Sequence, residues 1–166
     1  MTDFIHAEVA IRQLHARYVD AVWRKDFNAF GDCFIEDAEW NIVGMKLRGR
    51  TAIIAGFEKF MDRYERVLMV IQTPILDVGN GVASGRTYVT EHNRFKDGRT
   101  TSSIGVYFER FIDNGDRWRF AWRHWDLYYR GPVDLSGSFF PFRDYGSPPG
   151  MPGPNDPATP PASQMT

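Results

Sequence analysis

Four long segments with period-two alternation, joined by three tight turns, constrain this 166-residue chain more than any other feature. They run from Val67 to Arg130, and the turns are Gly79-Asn80-Gly81, Lys96-Asp97-Gly98 and Asp113-Asn114-Gly115. Asn-Gly and Asp-Gly steps supply residues that tolerate positive φ in short hairpins. The pattern therefore predicts an antiparallel meander of four strands. Pro74, inside the first segment, indicates a bulge or an edge position there.

The chain before the meander has helical periodicity. Apolar residues recur at three- and four-residue spacing over roughly residues 5–24, with Asp3 as the candidate N-cap, and a second short helix follows from Asp26. A strand pair is predicted over residues 37–50, and helical spacing returns over residues 51–67. These elements predict an α+β fold, a cone-shaped barrel in which a long curved antiparallel sheet wraps around N-terminal helices and leaves an interior pocket.

The composition changes after Gly131, where the chain becomes rich in Pro, Gly and Ser. Residues 1–131 are therefore predicted to form the folded domain and residues 132–166 a tail. The tail is aromatic up to about residue 145, so this first part is predicted to pack as a lid or a subunit contact. The remainder is predicted to be flexible.

Charge and cysteine content exclude several classes of protein. The chain has 20 basic and 21 acidic residues, so no strong field favours nucleic acid or an anionic membrane as a partner. The single cysteine, Cys33, excludes an internal disulfide, and no apolar run approaches the ~18 residues of a membrane span. We expect a soluble cytoplasmic protein whose partner is a small molecule.

No nucleotide, zinc or serine-hydrolase motif is present in the sequence, so we expect neither a cofactor nor a metal. Aromatic residues make up 15% of the chain, which fits either a large aromatic core or a pocket for a hydrophobic aromatic ligand. A sheet face with Phe120, Trp122 and Tyr128 would be a large apolar patch on a monomer. We therefore expect a homodimer or homotrimer.

His92 is the first candidate for acid/base chemistry. Alternation divides its strand into one face with Tyr88, Thr90, His92 and Arg94 and another with Val89, Glu91, Asn93 and Phe95. Periodicity alone leaves three interpretations of His92, as a catalytic or ligand-binding residue, a surface residue or a hydrogen-bonded structural residue.

The last strand and the first helix supply further candidates. Strict alternation places Arg119, Ala121, Arg123, Trp125 and Leu127 on one face of the strand and Phe120, Trp122, His124, Asp126 and Tyr128 on the other. Arg123 is either a surface ion-pair residue or a buried guanidinium that orients a substrate oxygen. His124 and Asp126 could form a hydrogen-bonded pair. On the helix, Tyr18 either donates its hydroxyl to a substrate or fills the core, and Asp20 is a minor candidate.

With this order of elements, the sequence resembles the SnoaL-like branch of the nuclear transport factor 2-like (cystatin-like α+β) superfamily over roughly residues 7–130. The resemblance lies in three motifs, ARYVDAVWRKDFNAFGDCFIEDAEW, LRGRTAIIAGF and DNGDRWRFAWRH. It implies the fold but not the reaction, because the same cone carries isomerases, dehydratases, lyases, hydrolases and binding modules.

Two comparisons within that superfamily concern Tyr18 and His92. The stretch ARYVDAVWRKD is similar to the first helix of ketosteroid isomerases, and Tyr18 falls at their oxyanion-hole tyrosine. The two acids of those enzymes fall at Ile42 and Gly105, which disfavours that activity. EHNRFKD is similar to a scytalone dehydratase strand that carries a catalytic histidine, which corresponds to His92.

Other pocket positions of these relatives are only partly matched. Ser103 falls at a pocket serine of scytalone dehydratase, whereas a second histidine and a helix tyrosine of that family fall at Val70 and Val22. Trp40 and Arg123 fall at pocket positions of related dehydrochlorinases, whose helix acid is replaced by Trp23.

The resemblance implies a cofactor-independent eliminating enzyme that acts on a hydrophobic aromatic or polycyclic small molecule. His92 would be the base, and Tyr18 and Arg123 would hold the oxygen on which charge builds. The predicted substrate-binding residues are Trp23, Trp40, Tyr88, Ser103, Trp125 and Asp20. Dehydration, C–C cleavage of the retro-aldol or deformylating type, and isomerisation all remain open. The alternatives are a non-catalytic small subunit, like the β subunit of ring-hydroxylating dioxygenases, and a ligand-binding module.

Overall fold

A computed structural model describes residues 3–158 of the chain. Its elements are α1 (Phe4–Arg24), α2 (Phe27–Asp32), β1 (Phe34–Ile42), β2 (Met45–Arg48), α3 (Arg50–Met61), β3 (Tyr64–Ile71), β4 (Ile75–Val78), β5 (Val82–Phe95), β6 (Thr100–Asp113), β7 (Trp118–Gly131) and β8 (Ser138–Phe139). The predicted α+β fold is confirmed, with the N-terminal helices packed against one face of a long curved sheet that does not close on itself.

The sheet has the strand order β2-β1-β7-β6-β5-β3, with β4 paired to β5 and β8 paired to β7. The antiparallel meander predicted from the alternation is present in β5, β6 and β7, each 14 residues long. The pairing of β1 with β7 is parallel, which the local sequence pattern did not indicate. It brings Trp40 beside Arg123.

Helix α1 begins and ends at residues suited to those positions. The Asp3 carboxylate accepts a hydrogen bond from the backbone N–H of Ile5 at 3.0 Å, and the chain leaves the helix at Lys25 with φ of 52°. The buried residues recur at helical spacing and form the face toward the sheet: Ala7, Ile11, Leu14, His15, Tyr18, Ala21 and Val22. Tyr18 therefore lies on the inner side of the helix.

The structure differs from the predicted boundaries around residues 61–75. Helix α3 ends at Met61 rather than continuing to Val67, and β3 already begins at Tyr64. The first segment of the predicted meander is divided into β3 and β4, with Pro74 in the interruption. Proline has no N–H to donate to a strand ladder, so the interruption falls at this residue.

Two bulges in β7 change which residues share a face. The register passes from Phe111–Phe120 to Arg110–Trp122, and from Gly105–Leu127 to Ile104–Tyr129, so each step inserts one extra residue into β7. The prediction that Phe120 shares a face with Trp122 is therefore wrong. Phe120 packs in the main core with Trp125 and Leu127, whereas Trp122 packs on the outer face.

The outer face of the sheet carries a small second cluster, formed by Val106, Phe108 and Trp122 with Tyr128, Tyr145 and Met151. The segment after Gly131 reaches this cluster, and Arg143 pairs with the buried carboxylate of Asp126 at 2.9 Å. Residues up to 158 thus cover part of the outer face. Their role as a lid or subunit contact stays a prediction, and the end of the predicted flexible part, residues 159–166, lies outside the described residues.

Candidate active site

A cavity of about 90 Å³ lies between the inner face of the sheet and helices α1 and α3. Its aromatic lining is Tyr18, Trp40, Phe57, Phe60, Tyr64, Tyr107 and Trp125, and its polar lining is Glu91, Asn93, Ser103 and Arg130. The aliphatic lining is Val22, Ile42, Val43, Met61, Val67, Met69 and Leu127. At ~10–15 Å³ per water position, the space equals roughly six to nine waters, which suits a ligand built on one or two rings.

The floor of the cavity is formed by Tyr18, Trp40 and Tyr107, all of which are buried. The Trp40 indole N–H donates to the Tyr107 hydroxyl at 3.3 Å, and the Tyr107 ring packs on Trp125 with 4.8 Å between centroids. Burial raises the pKa of both tyrosines above the ordinary value. Both phenols are therefore protonated at neutral pH and can donate hydrogen bonds to a ligand.

Arg123 lies directly behind the two tyrosines and does not line the cavity. Its guanidinium carbon is 3.7 Å from the Tyr107 ring centroid and 4.2 Å from that of Tyr18. Its Nε and Nη2 lie 2.9 and 2.8 Å from one oxygen of Glu109. The geometry fixes the guanidinium between aromatic rings, so it can position Tyr18 and Tyr107 rather than contact a substrate.

Glu109 neutralises Arg123 and is itself fully buried. Its second oxygen accepts a hydrogen bond from the Thr87 hydroxyl at 2.7 Å and lies 3.0 Å from Nε2 of His15. Burial on its own would raise the pKa of Glu109, but His15 and Arg123 outweigh that effect and lower it. Arg123 and Glu109 therefore form a buried, ionised and hydrogen-bonded pair directly behind the cavity floor.

The polar wall of the cavity contains a carboxyl group whose pKa is shifted. Burial raises the pKa of Glu91 above the ordinary carboxyl value, although a hydrogen bond from Asn93 and the charges of Arg123 and Arg130 act in the opposite direction. The cross-strand register pairs Glu91 with Ser103 and Ser103 with Arg130. A carboxyl, a hydroxyl and a guanidinium thus form one row across β5, β6 and β7.

Asn93 stands beside this row on the face of Glu91. Its side chain is 5% exposed, and its Oδ1 atom has no hydrogen-bond partner within residues 3–158. A buried amide oxygen without a partner costs free energy unless a donor reaches it. It is therefore a candidate acceptor for a ligand hydroxyl.

Four of the predicted site residues, Tyr18, Trp40, Ser103 and Trp125, line the cavity, and their roles there stay predictions. Besides Arg123, which lies behind the floor, four other predicted site residues lie elsewhere. Trp23 is 52% exposed and donates its indole N–H to the carbonyl of Met69, and Tyr88 is 39% exposed. Asp20 forms a surface ion pair with Arg24 at 2.8 Å. None of these three side chains lines the cavity.

His92 is the fourth of these residues, and it does not point into the cavity as a catalytic base there would have to. Glu91 and Asn93 line the cavity, so alternation directs His92 to the opposite, outer face. There its Nδ1 lies 3.1 Å from the Ser102 hydroxyl. A base at this position would be separated from the cavity by the sheet itself.

The sequence contained a signal for Glu91 that the prediction did not use. The most apolar residues of β5 near this point, Val89 and Phe95, share its face, and both are buried. Arg130 had no such signal. It reaches the inner face only because the bulge near Tyr128 shifts the phase of β7, which alternation cannot reveal.

Within residues 3–158, no group of three or more His, Cys, Asp or Glu side chains is arranged to hold a metal ion. None of the helices in the same range combines the length and the apolar character that crossing a bilayer requires.

A family model described as a SnoaL-like domain matches residues 3–124. Among solved structures, a candidate scytalone dehydratase from Novosphingobium aromaticivorans is 17% identical over 84% of this chain and 96% of its own, with a TM-score of 0.75. A hexachlorocyclohexane dehydrochlorinase from Novosphingobium barchaimii is 17% identical over 84% and 97%, with a TM-score of 0.71. A candidate aromatic ring hydroxylase from N. aromaticivorans is 25% identical over 74% and 89%, with a TM-score of 0.69. No curated protein matches the chain.

Proposed function

The chain belongs to the SnoaL-like domain family, and we propose that it is a cofactor-independent lyase that acts on a small hydrophobic aromatic molecule. The observation that carries this proposal is the carboxyl group of Glu91, whose pKa is raised in a cavity walled by aromatic rings and tyrosine hydroxyls. A carboxyl tuned upward in this way suits proton abstraction near neutral pH. The names of two structural neighbours, a candidate dehydratase and a dehydrochlorinase, both describe eliminations.

In the proposed reaction, the Glu91 carboxylate accepts a proton from the substrate. The electrons of the broken bond form a new double bond, and the leaving group departs with its own bonding pair. The protonated Tyr18 hydroxyl donates a hydrogen bond to the oxygen on which charge builds, and Tyr107 supports it. In loss of water the proton leaves a carbon, hydroxide departs, and protonated Glu91 returns the proton to it. In loss of a small carbonyl fragment the proton leaves a hydroxyl whose oxygen forms the new C=O bond, and the carbon that keeps the bonding pair takes the proton back from Glu91.

Residues behind and around the cavity hold the reacting groups in position. Arg123 is packed against both tyrosine rings and therefore limits their movement. The surrounding aromatic side chains exclude water, which strengthens the effect of a hydrogen bond on developing charge.

A turnover screen tests the proposal. Purified protein is incubated, without added cofactor, with aromatic compounds that carry either a hydroxyl group β to an acidic C–H or a hydroxymethyl group on a carbon whose anion is stabilised. We expect at least one compound to lose water or formaldehyde. Mass spectrometry detects either loss, the absorbance of the new conjugated double bond reports loss of water, and a colorimetric aldehyde assay reports formaldehyde. Compounds that bind in the cavity but never turn over would instead indicate a ligand-binding module.

The pH dependence of the rate gives a separate prediction. A base must be ionised, so kcat/KM should fall as the pH drops through the pKa of Glu91. Because burial raises that pKa, the acidic limb should lie above the ~4.3 of an ordinary glutamate. A pH profile of the wild-type protein and of His92→Gln measures this. A limb that disappears in His92→Gln would assign the titration to His92 instead.

A further inference from the structure

We propose that the natural substrate of this cavity is an aromatic carboxylate, and that Arg130 binds its acidic group. The proposal rests on the proposed function for the location of the reacting centre, which is Glu91. It adds the chemical class of the molecule and its orientation between β5 and β7.

The charges of the two arginines near the cavity support this assignment. Arg123 is neutralised by Glu109 behind the floor. Arg130 lines the cavity, yet no acidic side chain of residues 3–158 lies within ion-pair distance of it. It acts on Glu91 through charge without forming a salt bridge. The cavity therefore has a cation that an anionic ligand would balance.

Arg130 lies at the side of the cavity where a ligand would enter. Arg130, Val43 and Tyr64 are part-exposed lining residues, whereas Tyr18 and Tyr107 are buried at the floor. Arg130 is hydrogen-bonded to the Tyr64 side chain, which limits its freedom. A planar guanidinium held in this way matches the two oxygens of a carboxylate, and the ligand's ring would extend inward over the aromatic lining.

The opposite end of the ligand is defined by Asn93. Because its amide N–H group is directed to the Glu91 carboxyl, its unpartnered Oδ1 atom is left to accept from the ligand. Glu91 and Arg130 are two strands apart, about 9–10 Å between their backbones, and Asn93 lies two residues beyond Glu91 along β5. An aromatic ring with a polar group at each end can extend between the side chains of Arg130 and Asn93. The predicted ligand is a hydroxylated aromatic acid.

Calorimetric titration with matched pairs of probes tests this inference. The probes are para-hydroxybenzoate and para-hydroxycinnamate, each compared with its own carboxamide at neutral pH. We expect at least one acid to bind the wild-type protein on the order of tenfold or more tightly than its amide. The preference should vanish in Arg130→Met and persist in part in Arg130→Lys. The control is Arg94→Met, an exposed arginine of the outer face, which should keep the full preference.

A second set of titrations tests the contact between Asn93 and the ligand hydroxyl. Removal of the para-hydroxyl group from the better acid should weaken binding to the wild-type protein but not to Asn93→Leu. Equal binding of acid and amide, failure of both acids to bind, or an acid preference that survives in Arg130→Met overturns the inference. These titrations need no turnover, so the preference for a carboxylate can be established even if the proposed elimination fails. Conversely, turnover of an uncharged aromatic compound would support the lyase but not the preference for a carboxylate.

Discussion

Replacement of Glu91 by glutamine should lower kcat/KM by about 10²–10⁴, because an amide of the same size cannot accept the proton. The variant should remain folded. Since the pKa of Glu91 is higher in the folded protein than in an exposed chain, ionisation of this group costs stability as the pH rises through that range. An amide removes this cost, so the melting temperature at neutral pH should be equal to or above that of the wild type. Steady-state kinetics and thermal melts between acidic and neutral pH measure both effects.

The matched control for Glu91 is its neighbour His92, which lies one residue further along β5 and on the other face of the sheet. His92→Gln should keep kcat/KM within a small factor of the wild type. If Glu91→Gln stayed active, or if His92→Gln lost activity while its melt was unchanged, Glu91 would not be the base.

Much of the fold could be predicted because it depends on local chemistry. The Asp3 cap, the spacing of Leu14, Tyr18 and Val22, and the Asn-Gly and Asp-Gly turns act within a few residues of their own position. The resemblance to the SnoaL-like family, read from three motifs, is confirmed by the match over residues 3–124. The parallel pairing of β1 with β7 could not be predicted, because it joins residues that lie more than 80 positions apart, as Phe34 and Phe120 do.

The site was harder to predict than the fold because a shift of one residue along a strand moves a side chain to the opposite face of the sheet. Glu91 and His92 are adjacent, and alternation alone does not say which of them points inward. The only local sign is that the apolar Val89 and Phe95 share the face of Glu91, and their burial depends on the whole sheet. The two bulges in β7 add a second cause, since each one reverses the phase of every residue after it.

Arg123 shows a third limit of prediction from the sequence. It is neither a surface ion-pair residue nor a buried guanidinium that contacts a substrate, the two roles considered for it. It is buried, as one of them required, but it lies between aromatic rings, pairs with Glu109 and does not line the cavity. Glu109 lies 14 residues earlier on the neighbouring strand, and the pairing depends on the register of β6 with β7.

Replacement of Arg123 by methionine should therefore lower the free energy of unfolding by about 3–5 kcal/mol, the second large effect that we expect. The methionine fills much of the same space, but Glu109 would stay buried with only His15 and Thr87 beside its carboxylate, and removal of one partner of a buried ion pair is strongly destabilising. Urea denaturation at neutral pH measures the change. As a control on the same strand, Arg119→Met removes the partner of Asp116, whose side chain is 56% exposed, and should cost much less because water can solvate the carboxylate that is left.

The double variant Arg123→Met with Glu109→Gln separates stability from positioning. With both charges removed, most of the lost stability should return, because replacement of a whole buried pair is far less costly than removal of one partner. Activity should not return with it, since Tyr18 and Tyr107 would lose the cation that holds their rings. A double variant with wild-type kcat would mean that Arg123 only stabilises the fold, and a single Arg123→Met variant as stable as the wild type would mean that Glu109 does not depend on it.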